Sequence, residues 1–155
     1  MLRVLIVFVG GGAGACLRAL LLAGLGSWGS TSPVLLANLV GSFLLGVVYV
    51  LADEAGLLGT RARHFLAVGV LGGFTTFSTF GWGADLLVAQ GQASAAFAYL
   101  AGSVGGGVLA VIGGLLAGRE LIGLFKPGLL AARHHPRSAR ADLAAIEAED
   151  RKPAG

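Results

Sequence analysis

Charge is what this chain has least of. Lysine, arginine, aspartate and glutamate make up 12% of its 155 residues, against about a quarter in soluble domains. Only seven of those charges fall in residues 1–118: Arg3, Arg18, Asp53, Glu54, Arg61, Arg63 and Asp85. The other twelve crowd into residues 119–155. So little charge cannot solvate a water-soluble fold, and residues 1–118 read as chain embedded in lipid. Residues 119–155 read as a polar tail, partly helical or disordered. Cys16 is the only cysteine, which excludes a disulfide framework. The run Ala13-Gly14-Ala15-Cys16 mimics a lipoprotein cleavage site. The apolar stretch continues past it through LRALLLAGL, too long for a signal-peptide core, so cleavage is not expected. Catalytic groupings are missing too. No nucleophile–base pair or metal-ligand cluster stands out, since His64 is isolated and His134 and His135 sit together in the tail. An enzyme is not expected. Nucleic acid is a poor partner for a tail that sets Arg133, Arg137 and Arg140 against an acidic EAED run; contact with anionic lipid is possible but unspecific.

What the chain has instead is apolar length. Hydrophobic residues are 55% of the sequence, and the mean hydropathy is +0.83. A spanning helix needs roughly 20 mostly apolar residues, and four stretches supply them, at about 4–25, 34–52, 64–90 and 94–118. Lipid offers no partner to a free backbone amide, so an all-α membrane protein with four transmembrane helices is expected. With four spans, both termini and the 53–63 loop share one side of the bilayer. That side carries Arg3, Arg61, Arg63, Arg119 and Lys126, whereas the 26–33 loop and the 91–93 turn carry no lysine or arginine. The positive-inside rule then predicts both termini in the cytoplasm of a multi-pass protein of the cell membrane.

Glycine is abundant, with 27 residues. Gly10 and Gly14, Gly102 and Gly106, and Gly114 and Gly118 recur at four-residue spacing, which lets helices approach closely in lipid. Gly10-x-Gly12-x-x-Ala15 also imitates a dinucleotide-binding fingerprint. That motif requires an acid about 20 residues on at the end of a second strand. Here the next acid is Asp53, beyond another apolar span, so the nucleotide reading is discarded.

Polar groups inside spans are costly and tend to mark pathways or tight pairs. Arg18 lies in the first span, Asn38 and Ser42 share a face of the second, and Tyr99 and Ser103 share a face of the fourth. The third holds GGFTTFSTF, residues 72–80. Interhelical hydrogen bonding explains any one of these. Together they are nearly all hydrogen-bond donors, with Asp85 the one buried negative charge expected, and that suits an anion better than a cation. In the third span Gly72-Gly73 followed by Thr75 and Thr76 weakens the helix near its middle. A break there frees carbonyls able to hold a cation. Phe77 and Phe80 are three residues apart. Their rings have positive edges that suit a small anion, but plain packing accounts for them equally well, and the residues alone leave both open.

Three of these motifs, GGGAGACLR, NLVGSFLLG and GGFTTFSTF, set on four short spans, resemble the Fluc (CrcB) fluoride channel family over roughly residues 4–118. GGFTTFSTF is the most specific of them. The resemblance implies an inverted (antiparallel) dimer with two fluoride pores near the interface and passive export of F⁻ that relieves fluoride toxicity. It implies pore roles for Phe77, Phe80, Asn38 and Arg18, and for the hydroxyls of Ser78, Thr79, Tyr99 and Ser103. It further implies a structural Na⁺ at the dimer centre, held by the backbone carbonyls of Gly72 and Thr75 from each subunit. Where the hydroxyl track would continue one turn past Ser103, this chain has Gly107. An inverted homodimer favours weak Lys/Arg asymmetry, and the asymmetry here is strong. The expectation is therefore a fixed orientation with an inverted paralogue as partner, a second copy of the same chain being the alternative. A small four-span transporter of the multidrug type would need a carboxylate in the first span, which has none. A non-transporting assembly protein, with its polar groups only joining helices, would carry no flux.

Overall fold

The structure, a computed structural model, describes residues 1–25 and 31–125, and every regular element among them is helical. Four stretches are long and apolar enough to cross a bilayer: Leu2–Gly24, Ser32–Glu54, Thr60–Ala89 and Ala93–Leu124. We call them the first to fourth spans. The second opens with Pro33 in its first turn, where the missing N–H would have had no helical partner anyway. Its last turn widens over Val50–Glu54, and the Ala55 N–H reaches back to the Val50 carbonyl at 2.8 Å. The fourth runs helical to Phe125, past the expected end at residue 118. Arg133, Arg137, Arg140, His134, His135 and the rest of the tail beyond residue 125 lie outside the described residues.

In the third span, helical segments cover Thr60–Arg63, His64–Leu71 and Gly72–Phe74, and helix resumes at Ser78–Ala89. The two glycines of the motif are therefore helical, with Gly72 at φ −63° and ψ −35°. The residues between the helical stretches are Thr75, Thr76 and Phe77, and Thr75 is extended at φ −76° and ψ 156°. Both the amide and the hydroxyl of Thr75 donate to the Leu71 carbonyl, at 3.0 and 2.9 Å. A β-branched hydroxyl that bonds back one turn competes with onward helix.

Glycines seam the helices into two tight pairs. A methyl on Gly10 would meet the Phe65 carbonyl at 2.7 Å, and one on Gly14 would run into the Val70 carbonyl, both on the third span. Gly46 faces the Val111 carbonyl and Gly114 the Phe43 carbonyl in the same way, joining the second and fourth spans. Not every glycine at four-residue spacing takes part. Gly106 meets the Leu39 side chain at 2.9 Å, but Gly102 faces open space.

The buried core is small. Val34, Phe80, Ala84 and Tyr99 form one cluster and Val50, Ala55 and Ile122 another, while large apolar side chains cover the outside. That is expected of a bundle whose solvent is hydrocarbon. At one end, an ion pair closes the 53–63 segment on itself, Arg63 to Asp53 at 2.8 Å, and another ties it to the fourth span, Arg119 to both Glu54 oxygens at 2.6 and 2.8 Å. One expectation is corrected here. Asp85 is not a buried charge; it is exposed on the third span.

Candidate functional site

The site is built around backbone groups that helical bonding leaves over. In an unbroken helix the Thr76 N–H would serve the Gly72 carbonyl. It donates instead to the Asn38 side-chain oxygen at 2.9 Å, and the Asn38 amide nitrogen donates to the Thr76 carbonyl at 3.0 Å. Asn38 thus acts as a strand-like partner for a buried non-helical residue, which lipid requires to be satisfied internally. The Thr76 hydroxyl then organises the start of the following helix. It accepts from the Thr79 amide at 3.2 Å, donates to the Thr79 hydroxyl at 3.1 Å and lies 3.3 Å from the Ser78 hydroxyl. Ser78 and Thr79 therefore belong to one local hydroxyl cluster with Thr76 at its centre.

Asn38, Thr75, Thr76, Phe77, Phe80 and Ser103 share a cleft of about 380 Å³, with Ser42 and Gly72 also on its wall. No carboxylate among the described residues lines it. Of the residues singled out from sequence, Arg18, Ser78, Thr79 and Tyr99 are not part of its wall. Arg18 touches the site from behind, its Nη1 donating to the Thr75 carbonyl over a long 3.4 Å. Tyr99 packs its ring on Phe80, centroids 5.3 Å apart and tilted by 45°, and Phe77 lies 5.8 Å from Phe80 at 53°. The two phenylalanines differ sharply in environment: Phe80 is 7% exposed and Phe77 84%.

Two hydroxyls lack partners. Tyr99 Oη and Ser103 Oγ are both fully buried atoms that make no hydrogen bond among the described residues. Buried hydroxyls in native folds are almost always paired, so this pair, one turn apart beside Phe80, calls for a polar guest. Near the other wall, the Gly72 carbonyl has lost its Thr76 donor to Asn38, and no methyl placed on Gly72 would meet a neighbour within 4 Å. Among the described side chains the Thr75 carbonyl has only the long Arg18 contact. Unwound carbonyls of this kind are the donor type that holds Na⁺ in membrane proteins, so the two oxygens fit a hard monovalent cation.

Gly41 is missed in the sequence, and Thr76 is read there only as a residue that weakens the third helix, not as part of the site. Its importance comes from Asn38, 38 positions away. Gly41 has a signal only in space: a methyl there would run into the Thr75 side chain. Ser42 stands out in the sequence only as Asn38's neighbour on one helix face. Its hydroxyl lies 3.6 Å from where a Gly107 methyl would begin, so a hydroxyl from the second span stands at the point where the fourth span has none.

The family model described as CrcB-like protein, Camphor Resistance (CrcB), matches residues 5–115. A fluoride-specific ion channel FluC from Rhodospirillum centenum is 45% identical over 125 residues, covering 79% of this chain and 96% of the relative. A counterpart from Thermus thermophilus is 41% identical over 128 residues, covering 78% and 97%. One from Deinococcus radiodurans is 44% identical over 117 residues, covering 73% and 92%.

Proposed function

The chain belongs to the CrcB family, and from that premise we propose that it is a fluoride-selective channel, not an enzyme, that lets cytoplasmic F⁻ leave passively. HF crosses membranes and dissociates inside, so the anion accumulates, and an open path for F⁻ lets it run out down its electrochemical gradient. The observation that carries this reading in the molecule is the unpartnered pair Tyr99 Oη and Ser103 Oγ, buried beside Phe80. Fluoride is small and strongly hydrated. It gives up water only to closely spaced donors, and hydroxyls with no other partner supply them without a cost for breaking existing bonds. The positive edges of the Phe80 and Phe77 rings add weak stabilisation that does not trap the ion. Ser78 and Thr79 extend the run of hydroxyls. Arg18, the one cation near the site among the described residues, biases it toward anions. Asn38 holds the unwound segment in shape and keeps one amide proton and one lone pair to spare.

We read Thr75–Phe77 as a functional break in a single span. An inverted second subunit, either a paralogue or the same chain, covers the exposed Phe77 ring and completes two pores. The Gly72 and Thr75 carbonyls, two from each subunit, would hold a structural Na⁺ at the centre; when bound it supplies positive charge that pins two unwound segments together. The Lys/Arg bias supports cytoplasmic termini in the cell membrane.

The test is fluoride efflux from proteoliposomes, read with a fluoride electrode. Phe80→Ile keeps the volume apolar and removes the ring edge, and it is expected to slow F⁻ loss at least tenfold. An unchanged rate would remove the ring from the pathway. Robust efflux from vesicles holding this chain alone would rule out an obligate paralogue.

A further inference from the structure

A second cavity lies where the first and third spans begin. It encloses about 370 Å³, and its wall includes Leu2, Arg3, Ile6, Thr60, Arg61 and His64. Among the described residues no carboxylate side chain faces it. The nearest acids by sequence are Glu54 and Asp53, held by Arg119 at 2.6 Å and by Arg63 at 2.8 Å. His64 is fixed in orientation: its Nδ1 donates to the Thr60 carbonyl at 2.6 Å, which leaves Nε2 as the available ring nitrogen. The cavity also has an apolar extension. A groove of about 250 Å³ lined by Arg3, Val4, Val7 and His64 shares Arg3 and His64 with it, and Val4 is 73% exposed. Arg3 and Arg61 stand at the starts of the two spans, the level at which an apolar helix meets lipid headgroups.

A cationic pocket at headgroup level that opens onto an apolar groove running into the bilayer has the shape and charge of one ligand class. We propose that it binds an anionic phospholipid. The phosphate sits among the Arg3 and Arg61 guanidinium groups, and one acyl chain lies along Val4 and Val7. Guanidinium suits the occupant because it pairs with phosphate oxygens through two parallel donors. Charge complementarity selects anionic over zwitterionic lipid, since a choline group would bring its own positive charge against the two arginines. The site is separate from the cleft: the two share no lining residue.

Native mass spectrometry of the full chain, purified in detergent, reads this directly and does not depend on which way the chain inserts. Dioleoyl phosphatidylglycerol is expected to remain bound where dioleoyl phosphatidylcholine is stripped. Each juxtamembrane cation contributes roughly a 5-fold effect on anionic-lipid affinity, so Arg3→Gln with Arg61→Gln is expected to lower phosphatidylglycerol retention about 25-fold. Should the double variant not purify folded, the single variants carry the test at about 5-fold each. Arg119→Gln, away from the cavity, is expected to leave retention unchanged. Equal retention of the two lipids, or equal retention by wild type and the arginine variants, overturns the proposal. Inorganic phosphate that stays bound and is not displaced by phosphatidylglycerol assigns the pocket to a free anion and overturns it as well. Retention by the monomer but not the dimer gives the cavity to the subunit interface, with the same consequence.

Discussion

Replacing Asn38 with alanine removes two hydrogen bonds at once, those of 2.9 and 3.0 Å to the amide and carbonyl of Thr76. Thr76 is 7% exposed, so neither backbone group gains water in exchange. A buried group stripped of its partner costs about 1–3 kcal/mol. Polar contacts within bilayers run lower, averaging about 0.6 kcal/mol with a maximum near 1.7. Two such losses together come to about 2 kcal/mol, close to a 30-fold shift in the folded fraction. The damage should also reach transport, because the same bonds hold Thr75–Phe77 and hence the cleft wall. Asn38→Asp separates the contributions. A carboxylate still accepts from the Thr76 N–H, but it cannot donate to the Thr76 carbonyl and it adds negative charge beside the proposed anion path. The expected order of stability is wild type, then Asn38→Asp, then Asn38→Ala, measured by reversible denaturation in detergent. Fluoride efflux should be low in both variants. If Asn38→Ala lies within about 0.5 kcal/mol of wild type and conducts normally, Asn38 is not the support of the unwound segment and the reasoning fails.

Tyr99→Phe deletes a hydroxyl that has no hydrogen-bond partner among the described residues, so stability should hold or rise slightly, while fluoride efflux falls at least tenfold; a variant that loses stability instead would make that hydroxyl structural. Gly14→Ala drives a methyl into the Val70 carbonyl and should abolish a monodisperse peak on size exclusion, whereas Gly12→Ala, with nothing within 4 Å, should elute as wild type. Gly41→Ala presses on the Thr75 side chain and is expected to reduce efflux while the four spans remain helical by circular dichroism. Gly107→Ser would place a second hydroxyl near Ser42 Oγ; efflux at or above the wild-type rate is expected, and a block would mean the space at Gly107 is needed empty.

The four spans are legible in the sequence because lipid imposes a length and a hydropathy that few other structures share. Gly10, Gly14 and Gly114 are legible too, since small residues at helical spacing have one common use in a bilayer. Gly102 shows the limit of that argument: its spacing is right, but the helix turns it toward open space. Asp85 fails for a related reason, since position along a span does not fix which way a side chain faces. The cleft is half legible. Phe80, Ser103 and Asn38 stand out as polar or aromatic groups in the wrong solvent, and they do meet. Thr76 stands out only as a β-branched residue after the glycines; its role is given by Asn38 from another span, and one sequence without its fold carries no record of that pairing. The glycines of GGFTTFSTF suggest a helix that ends on them. The chain stays helical through both and leaves the helix at Thr75, where the hydroxyl's bond to Leu71 competes locally with helix continuation.

In the proposed pore, the buried hydroxyls beside Phe80, unpartnered among the described residues, replace fluoride's water. Parallel recordings of fluoride and chloride efflux from vesicles containing the purified chain test this most directly. Rapid F⁻ loss with little Cl⁻ loss is expected, from this chain alone or with an inverted paralogue. Monodisperse protein that passes neither ion in both settings, or passes chloride as fast as fluoride, would contradict it.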